Sequence, residues 1–275
     1  MLVQMQQSER QWIEALQHYV KNPLLDLFFQ GWNLVDSFGF MALLITCVWY
    51  MIDKKLGIKL FYIIILSVTV NTSLKHIFTL PRPCHIDPSL GLLCPPSYGL
   101  PSGAAQSAIL LGSILFLESK KIWMKVTAVI FAMLLCFSRV YLGVHYISDV
   151  LVGIVIGALL AVVYYKIFPI FEKKWKKMVL LFPLLIFFIG GPYALLFVSF
   201  TVGMQLGLIA EGKKNQPKDS TAACYVKTCI IVIGLFTLSA FAMQADALKL
   251  IFGLVMGAWL SYLGPKTCAL LFRKV

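Results

Sequence analysis

The chain is organised by long apolar runs that recur from about residue 38 almost to its end. They cover roughly 38–52, 60–80, 104–117, 122–142, 146–168, 227–243 and 247–264, with one longer run over 178–210. A helix of about 20 apolar residues crosses about 30 Å of hydrocarbon, and the shorter runs reach that with help from their flanks. The 178–210 run is too long for one span, and Gly190-Gly191-Pro192 divides it, so a tight hairpin of two spans is expected. The expected fold is an all-α polytopic membrane helical bundle of about nine transmembrane spans. Composition agrees: 60% of residues are hydrophobic and 13% charged, against about 25% charged in soluble domains. That excludes disorder, a secreted disulfide scaffold and an ordinary cytosolic enzyme.

The net charge of +12 would raise the question of nucleic acid on a soluble protein. Here the basic residues sit between the runs, and no nucleic-acid partner is expected. Lys54, Lys55 and Lys59, then Lys120, Lys121 and Lys125, then Lys166, Lys173, Lys174, Lys176 and Lys177 fall on one side of a nine-span chain. So do Lys213, Lys214 and Lys218, and finally Lys266, Arg273 and Lys274. By the positive-inside rule that side is cytoplasmic, which puts the N-terminus outside and the C-terminus in the cytoplasm. A single span over 178–210 would break this agreement. Three regions follow: an amphipathic interfacial segment over 1–35, in which Trp12, Ile13, Leu16, Tyr19 and Val20 recur at helical spacing; core spans over 36–170; and a membrane extension of four spans over 171–275. No cleavable signal segment is evident, because charges interrupt the first 35 residues. The pairs Gly153/Gly157, Gly203/Gly207 and Gly253/Gly257 suit close helix packing within the chain.

None of the seven cysteines forms a C-x-x-C pair, and no cluster suggests a metal centre or a cofactor. Cys84 and Cys94 share a polar, proline-rich loop on the outward side. A disulfide between them requires Cα atoms about 4.4–6.8 Å apart and an oxidising compartment.

The outward ends of the core runs collect the chemistry. Lys75 closes the second run after Asn71, Thr72 and Ser73; Arg82 follows in Pro81-Arg82-Pro83; Pro101-Ser102-Gly103 opens the third run. Ser138-Arg139 ends the fourth, and His145 and Asp149 begin the fifth. An ionisable residue at a span end can simply snorkel to the interface. Together these make a phosphate site. Arg82 and Arg139 can each fork two donors onto phosphoryl oxygens, and Lys75 adds a point charge. Ser102 and Gly103 open a helix whose unpaired backbone N–H groups favour an anion. His145 and Asp149 are four positions apart, so they share a helix face; the carboxylate can accept a hydrogen bond from one imidazole nitrogen and leave the other unprotonated for attack.

The pattern Lys75-x6-Arg82-Pro83, Pro101-Ser102-Gly103 and Ser138-Arg139-x5-His145-x3-Asp149 resembles the three-part signature of the type-2 phosphatidic acid phosphatase superfamily. The resemblance covers about residues 70–150. It implies an integral-membrane phosphatase of lipid phosphates or diphosphates that needs no cofactor. It implies that His145 is the nucleophile of a phosphohistidine intermediate oriented by Asp149. Lys75, Arg82, Ser102, Gly103 and Arg139 would hold the phosphoryl group, with no metal. The soluble vanadium haloperoxidases share such a site, and the apolar composition argues against them.

One position departs from the pattern. Ala104 stands where the family has a His that protonates the leaving oxygen and then activates water. General acid–base assistance is worth about 10²–10⁴-fold, so this chain is expected to be nearly inactive. The otherwise intact set favours a deliberate His-to-Ala change over a natural pseudoenzyme. Neither His76 nor His85 is placed to substitute. The expected partner is a lipid phosphate or diphosphate among membrane lipids, met on the periplasmic or extracytoplasmic face of a bacterial inner membrane. Three rivals stand: a sugar phosphatase resembling glucose-6-phosphatase, a lipid phosphotransferase, and a non-catalytic lipid-phosphate binder or transporter. Oligomeric state is not legible.

Overall fold

A computed structural model describes residues 2–169, 175–189, 193–212, 221–244 and 248–271. Among these the regular structure is helical. In chain order the helices are α1 Leu2–Val20, α2 Pro23–Trp32, α3 Phe38–Cys47, α4 Lys54–Phe78, the one-turn α5 Pro83–Ile86, α6 Gly103–Glu118, α7 Ile122–Tyr141 and α8 Ile147–Val162. They continue as α9 Trp175–Ile189, α10 Ala194–Glu211, α11 Thr221–Gln244, α12 Lys249–Ala258 and α13 Gly264–Leu271. A 3-10 turn, Asn33–Asp36, follows α2, and π turns extend α3, α8 and α12. Among the described residues five helices are long and apolar enough to cross a membrane, and the apolar α6 is shorter. Each apolar run of the sequence falls on a helix, and the 178–210 run is two helices, α9 and α10, that pack together. Gly190-Gly191-Pro192, where the hairpin is expected, lies outside the described residues, as do Lys173, Lys174, Lys213, Lys214, Lys218, Arg273 and Lys274.

The chain divides into two compact units, one of Met1–Ser37 with Val70–Ile167 and one of Phe38–Thr69 with Phe168–Val275. Helix α4 contributes its first part to the second unit and its last two turns to the first.

The first unit is built on α6, α7 and α8. Gly153 and Gly157 of α8 lie against the backbone of α6: a Cβ at either would meet the carbonyl oxygens of Ser102 and Gln106 at 2.5 Å. These two missing side chains let α8 approach so closely that the Ser102 N–H donates to the Asp149 carbonyl at 3.0 Å. The starts of α6 and α8 are therefore fixed to each other. The Leu142–Tyr146 connection is equally tight. Gly143 takes φ +66°, and a Cβ there would meet the Leu90 oxygen at 2.0 Å. Leu142 accepts from the Leu92 N–H at 3.1 Å, which ties this turn to the long loop.

The N-terminal helices are fastened onto these loops. Ile13 is fully buried against Leu90 and Tyr146, and Gln17 Nε2 donates to the Leu90 and Tyr141 carbonyls, both at 2.8 Å. Glu9 accepts from the Ser148 N–H and hydroxyl at 3.1 and 2.9 Å, and Arg10 pairs with Asp87 at 2.6 Å. Trp12 and Tyr19 stay exposed.

The second unit is held by α10 on α12. The expected glycine pairs meet there: a Cβ at Gly203 would strike Leu254, and one at Gly257 would strike Phe200 and Met204. Helix α4 adds Phe61 edge-on to Phe200 and Tyr62 edge-on to Phe182. The Tyr62 hydroxyl accepts from Gln205 at 3.1 Å. Lys54 is ion-paired with Glu211.

Candidate active site

All eight positions singled out in the sequence lie in the first unit, and seven of them are buried; Gly103 is half-buried. Lys75 ends α4 with its ammonium on the Tyr98 and Gly99 carbonyls at 2.5 and 3.1 Å. Arg82 caps α5 and is spread across the site. Its Nε donates to the Ser97 carbonyl at 2.6 Å and Nη2 to the Ser97 hydroxyl at 2.8 Å. Its Nη1 reaches the Val144 carbonyl and His145 Nε2, both at 2.9 Å. A guanidinium has no acceptor, so Nε2 accepts and the ring proton sits on Nδ1. That nitrogen faces Asp149 Oδ2 at 3.3 Å. Asp149 is fixed in turn, because Oδ2 also accepts from the Tyr146 N–H at 3.0 Å. The bonding pattern leaves a neutral His145 with its lone pair toward the cations. Burial first, and then the charges of Arg82, Lys75 and Arg139, hold the His145 pKa well below the ordinary imidazole range.

Ser102 is the N-cap of α6, its hydroxyl accepting from the Ala105 N–H at 3.4 Å. Gly103 leaves room for Asn71, whose Oδ1 would lie 3.1 Å from a Cβ there. Arg139 sits in the last turn of α7, its Nε on the Ser138 hydroxyl at 3.0 Å and its Nη1 on Asn33 Oδ1 at 2.7 Å. Ala104 is enclosed with Ala108 and Leu135, and Trp32, Val35, Phe131, Ala132 and Cys136 pack against that cluster.

Four residues that touch this set were given no role in the sequence reading. Ser97 grips Arg82, and Asn33 meets Arg139. Asn71 donates to Gln106 Oε1 at 3.1 Å and to the Pro101 carbonyl at 3.3 Å beneath Ser102. Only Asn71 carried a signal, as a polar residue one helical turn from Lys75. His85 is occupied by the Arg82 N–H and the Pro95 carbonyl, and His76 is exposed, edge-on to Tyr98.

Cys84 and Cys94 form a disulfide with Cα atoms 5.8 Å apart. Among the described residues Cys84, His85 and Cys94 form one group with metal-ligand spacing. With the two sulfurs bonded to each other, neither is a thiolate that could take a metal ion.

Residues 56–173 match the family model of the PAP2 superfamily. The chain is 31% identical over 107 residues to the undecaprenyl-diphosphatase of Sulfolobus acidocaldarius, a match covering 38% of this chain and 52% of that protein. It is 29% identical over 157 residues to human sphingosine-1-phosphate phosphatase 2, covering 54% of this chain and 39% of that one. The chain thus matches about half or less of the length of these relatives. The crystal structure of Aquifex aeolicus LpxE superposes with a TM-score of 0.49 at 28% identity, covering 57% of this chain and 93% of that one. With its apolar helices, the chain is an integral membrane protein.

Proposed function

We propose that the chain is a membrane phosphatase that cleaves a lipid phosphate or polyprenyl diphosphate through a phosphohistidine on His145, and that Ala104 impairs it. The observation that carries this reading is the pairing of His145: Nδ1 on Asp149 and an unprotonated Nε2 beside Arg82. Nε2 attacks phosphorus in line with the leaving oxygen. Lys75, Arg82 and Arg139 stabilise the charge on the equatorial oxygens, with Ser102 and the Gly103 N–H at the helix start. Asp149 holds the tautomer and stabilises the imidazolium that forms.

A lipid fits better than a sugar because of what lies beside the site. An apolar groove of about 450 Å³, lined by Ile109, Gly112, Phe116, Ala132, Met133 and Cys136, runs along α6 and α7. Cys136 is one helical turn from Arg139, so a head group at Arg139 leaves its tail beside this groove. Ala104 favours one rival, a lipid-phosphate binder. Phosphate release by the Ala104→His protein decides among the readings. Release from long-chain lipid phosphates but not from glucose 6-phosphate is expected. Release from the sugar alone would favour the sugar phosphatase, and none from either would favour the binder.

The site is proposed to face outward in a nine-span bundle with an outside N-terminus and a cytoplasmic C-terminus, in a bacterial inner membrane. The one-sided lysines support this, and so does the Cys84–Cys94 bridge, since disulfides persist in oxidising compartments. Ser89 and Lys120 are exposed on opposite sides of α6 in the chain. In a background lacking the free cysteines, Ser89→Cys should react with an impermeant maleimide in intact cells and Lys120→Cys only after permeabilisation. The reverse pattern would invert the topology.

A further inference from the structure

The segment before the first core helix carries a residue into the phosphate site. Asp26, Phe29 and Asn33 lie three and four positions apart and share one face of α2 and the turn after it. That face is fixed to the outward half of α7. The Tyr141 hydroxyl donates to Asp26 at 2.7 Å, Phe29 is buried against Tyr141, Leu142 and Val144, and Asn33 Oδ1 accepts from Arg139 Nη1 at 2.7 Å. The start of α2 is set as well, by Pro23 in its first turn and by Asn22, whose side chain accepts from the Leu25 N–H at 3.0 Å. Trp32, next to Asn33, packs on the Ala104 cluster and lies 5.8 Å from the Phe131 ring.

From this arrangement we infer that Asn33 is a positioning residue for phosphate binding, setting the plane of the Arg139 guanidinium. The inference rests on the phosphatase reading of the same site. A guanidinium forks onto phosphoryl oxygens only when its plane is correctly turned. Ser138 holds it at Nε and Asn33 holds it at Nη1, so rotation about the last side-chain bond is restrained at two points. The residue type matters too. An amide oxygen accepts the hydrogen bond and leaves the positive charge for the ligand, whereas a carboxylate would pair with that charge and cancel it.

Orthovanadate, a phosphate mimic, tests this on the full-length protein in detergent, because binding does not require the missing acid–base group. Asn33→Ala should weaken orthovanadate binding about 10-fold, as for loss of one hydrogen bond to a charged group. The isosteric Asn33→Asp should weaken it further, with thermal unfolding little changed. In an Arg139→Ala background, Asn33→Ala should have no further effect, since it acts through that guanidinium. Binding that needs Arg82 but is unmoved by Asn33→Ala, or weakened equally in both backgrounds, would overturn the inference and leave the phosphate site standing. If Asn33→Ala does not fold, the neutral and shorter Asn33→Ser carries the same two comparisons. No orthovanadate binding by the parent protein, or binding indifferent to Arg82→Ala, would overturn the phosphatase reading and the inference with it.

Discussion

Restoring the missing imidazole, Ala104→His, is expected to raise phosphate release from an alkyl or prenyl phosphate by about 10²–10⁴-fold. An alkoxide leaves poorly at neutral pH, so the first half-reaction needs a proton donor at the leaving oxygen. The second half-reaction needs a base to activate water against the phosphohistidine. Alanine supplies neither, and His76 and His85 lie elsewhere, the first exposed and the second held by backbone groups. Position 104 is the second residue of α6, one after Gly103, so a side chain there starts beside the helix end proposed to hold the phosphoryl group. It is also enclosed by Trp32, Val35 and Phe131. An imidazole therefore has to displace part of this wall, and the gain should fall toward the lower end of the range unless Trp32 yields. Ala104→His combined with Trp32→Leu should then exceed Ala104→His alone. Steady-state phosphate release measures both. Equal rates before and after the substitution would show that the chain's chemistry does not depend on an acid–base group at this position.

The second large effect is expected at Arg82. Its guanidinium holds Ser97, Val144 and His145 from one buried position, and under the proposed reading it serves the substrate as well. Arg82→Ala should lower kcat/KM of the Ala104→His enzyme by about 10²–10³-fold, the usual cost of removing one donor from a developing negative charge. It should also lower thermal stability, because the buried carbonyl of Val144 loses its donor. Arg82→Lys should rescue little. An ammonium is a point charge and cannot fork to two loops and the imidazole together. Full activity in Arg82→Lys would mean that charge alone, and not the fork, is what the site uses.

The candidate site residues were legible as a set: one charge at the end of an apolar run can snorkel, but three cations and a His–Asp pair at the same ends of successive runs call for a common ligand. Lys75, Arg82, Ser102, Arg139, His145 and Asp149 all stood out in that way, and the structure gathers them into one unit. The apolar runs also marked the helices, and Gly190-Gly191-Pro192 marked the division of 178–210 into α9 and α10. Asn33 and Ser97 were not legible. Each is an unremarkable polar residue in a segment that reads as surface, and only tertiary packing turns it toward a guanidinium. The role of 1–35 was legible only in part. Helical spacing gave the helix, but that Ile13 and Gln17 bury themselves against loops 73 and more residues away cannot be read from local pattern. The glycine pairs were legible as packing sites, though not which helices would meet: Gly153 and Gly157 turn out to seat α8 on α6 and so bring Asp149 to Ser102.

The most direct test uses the chain as it stands, with Ala104 in place. With an activated aryl phosphate the leaving group needs no proton, so attack by His145 can proceed. Hydrolysis of the adduct still lacks its base. The account predicts a burst of the aryl alcohol close to one equivalent per protein, then near-arrest, with a phosphoryl group on the peptide that holds His145 by mass spectrometry. The adduct should be labile to acid and absent from His145→Ala. Steady turnover without a burst, or a phosphoryl group on any other residue, would contradict the assignment of His145 as nucleophile.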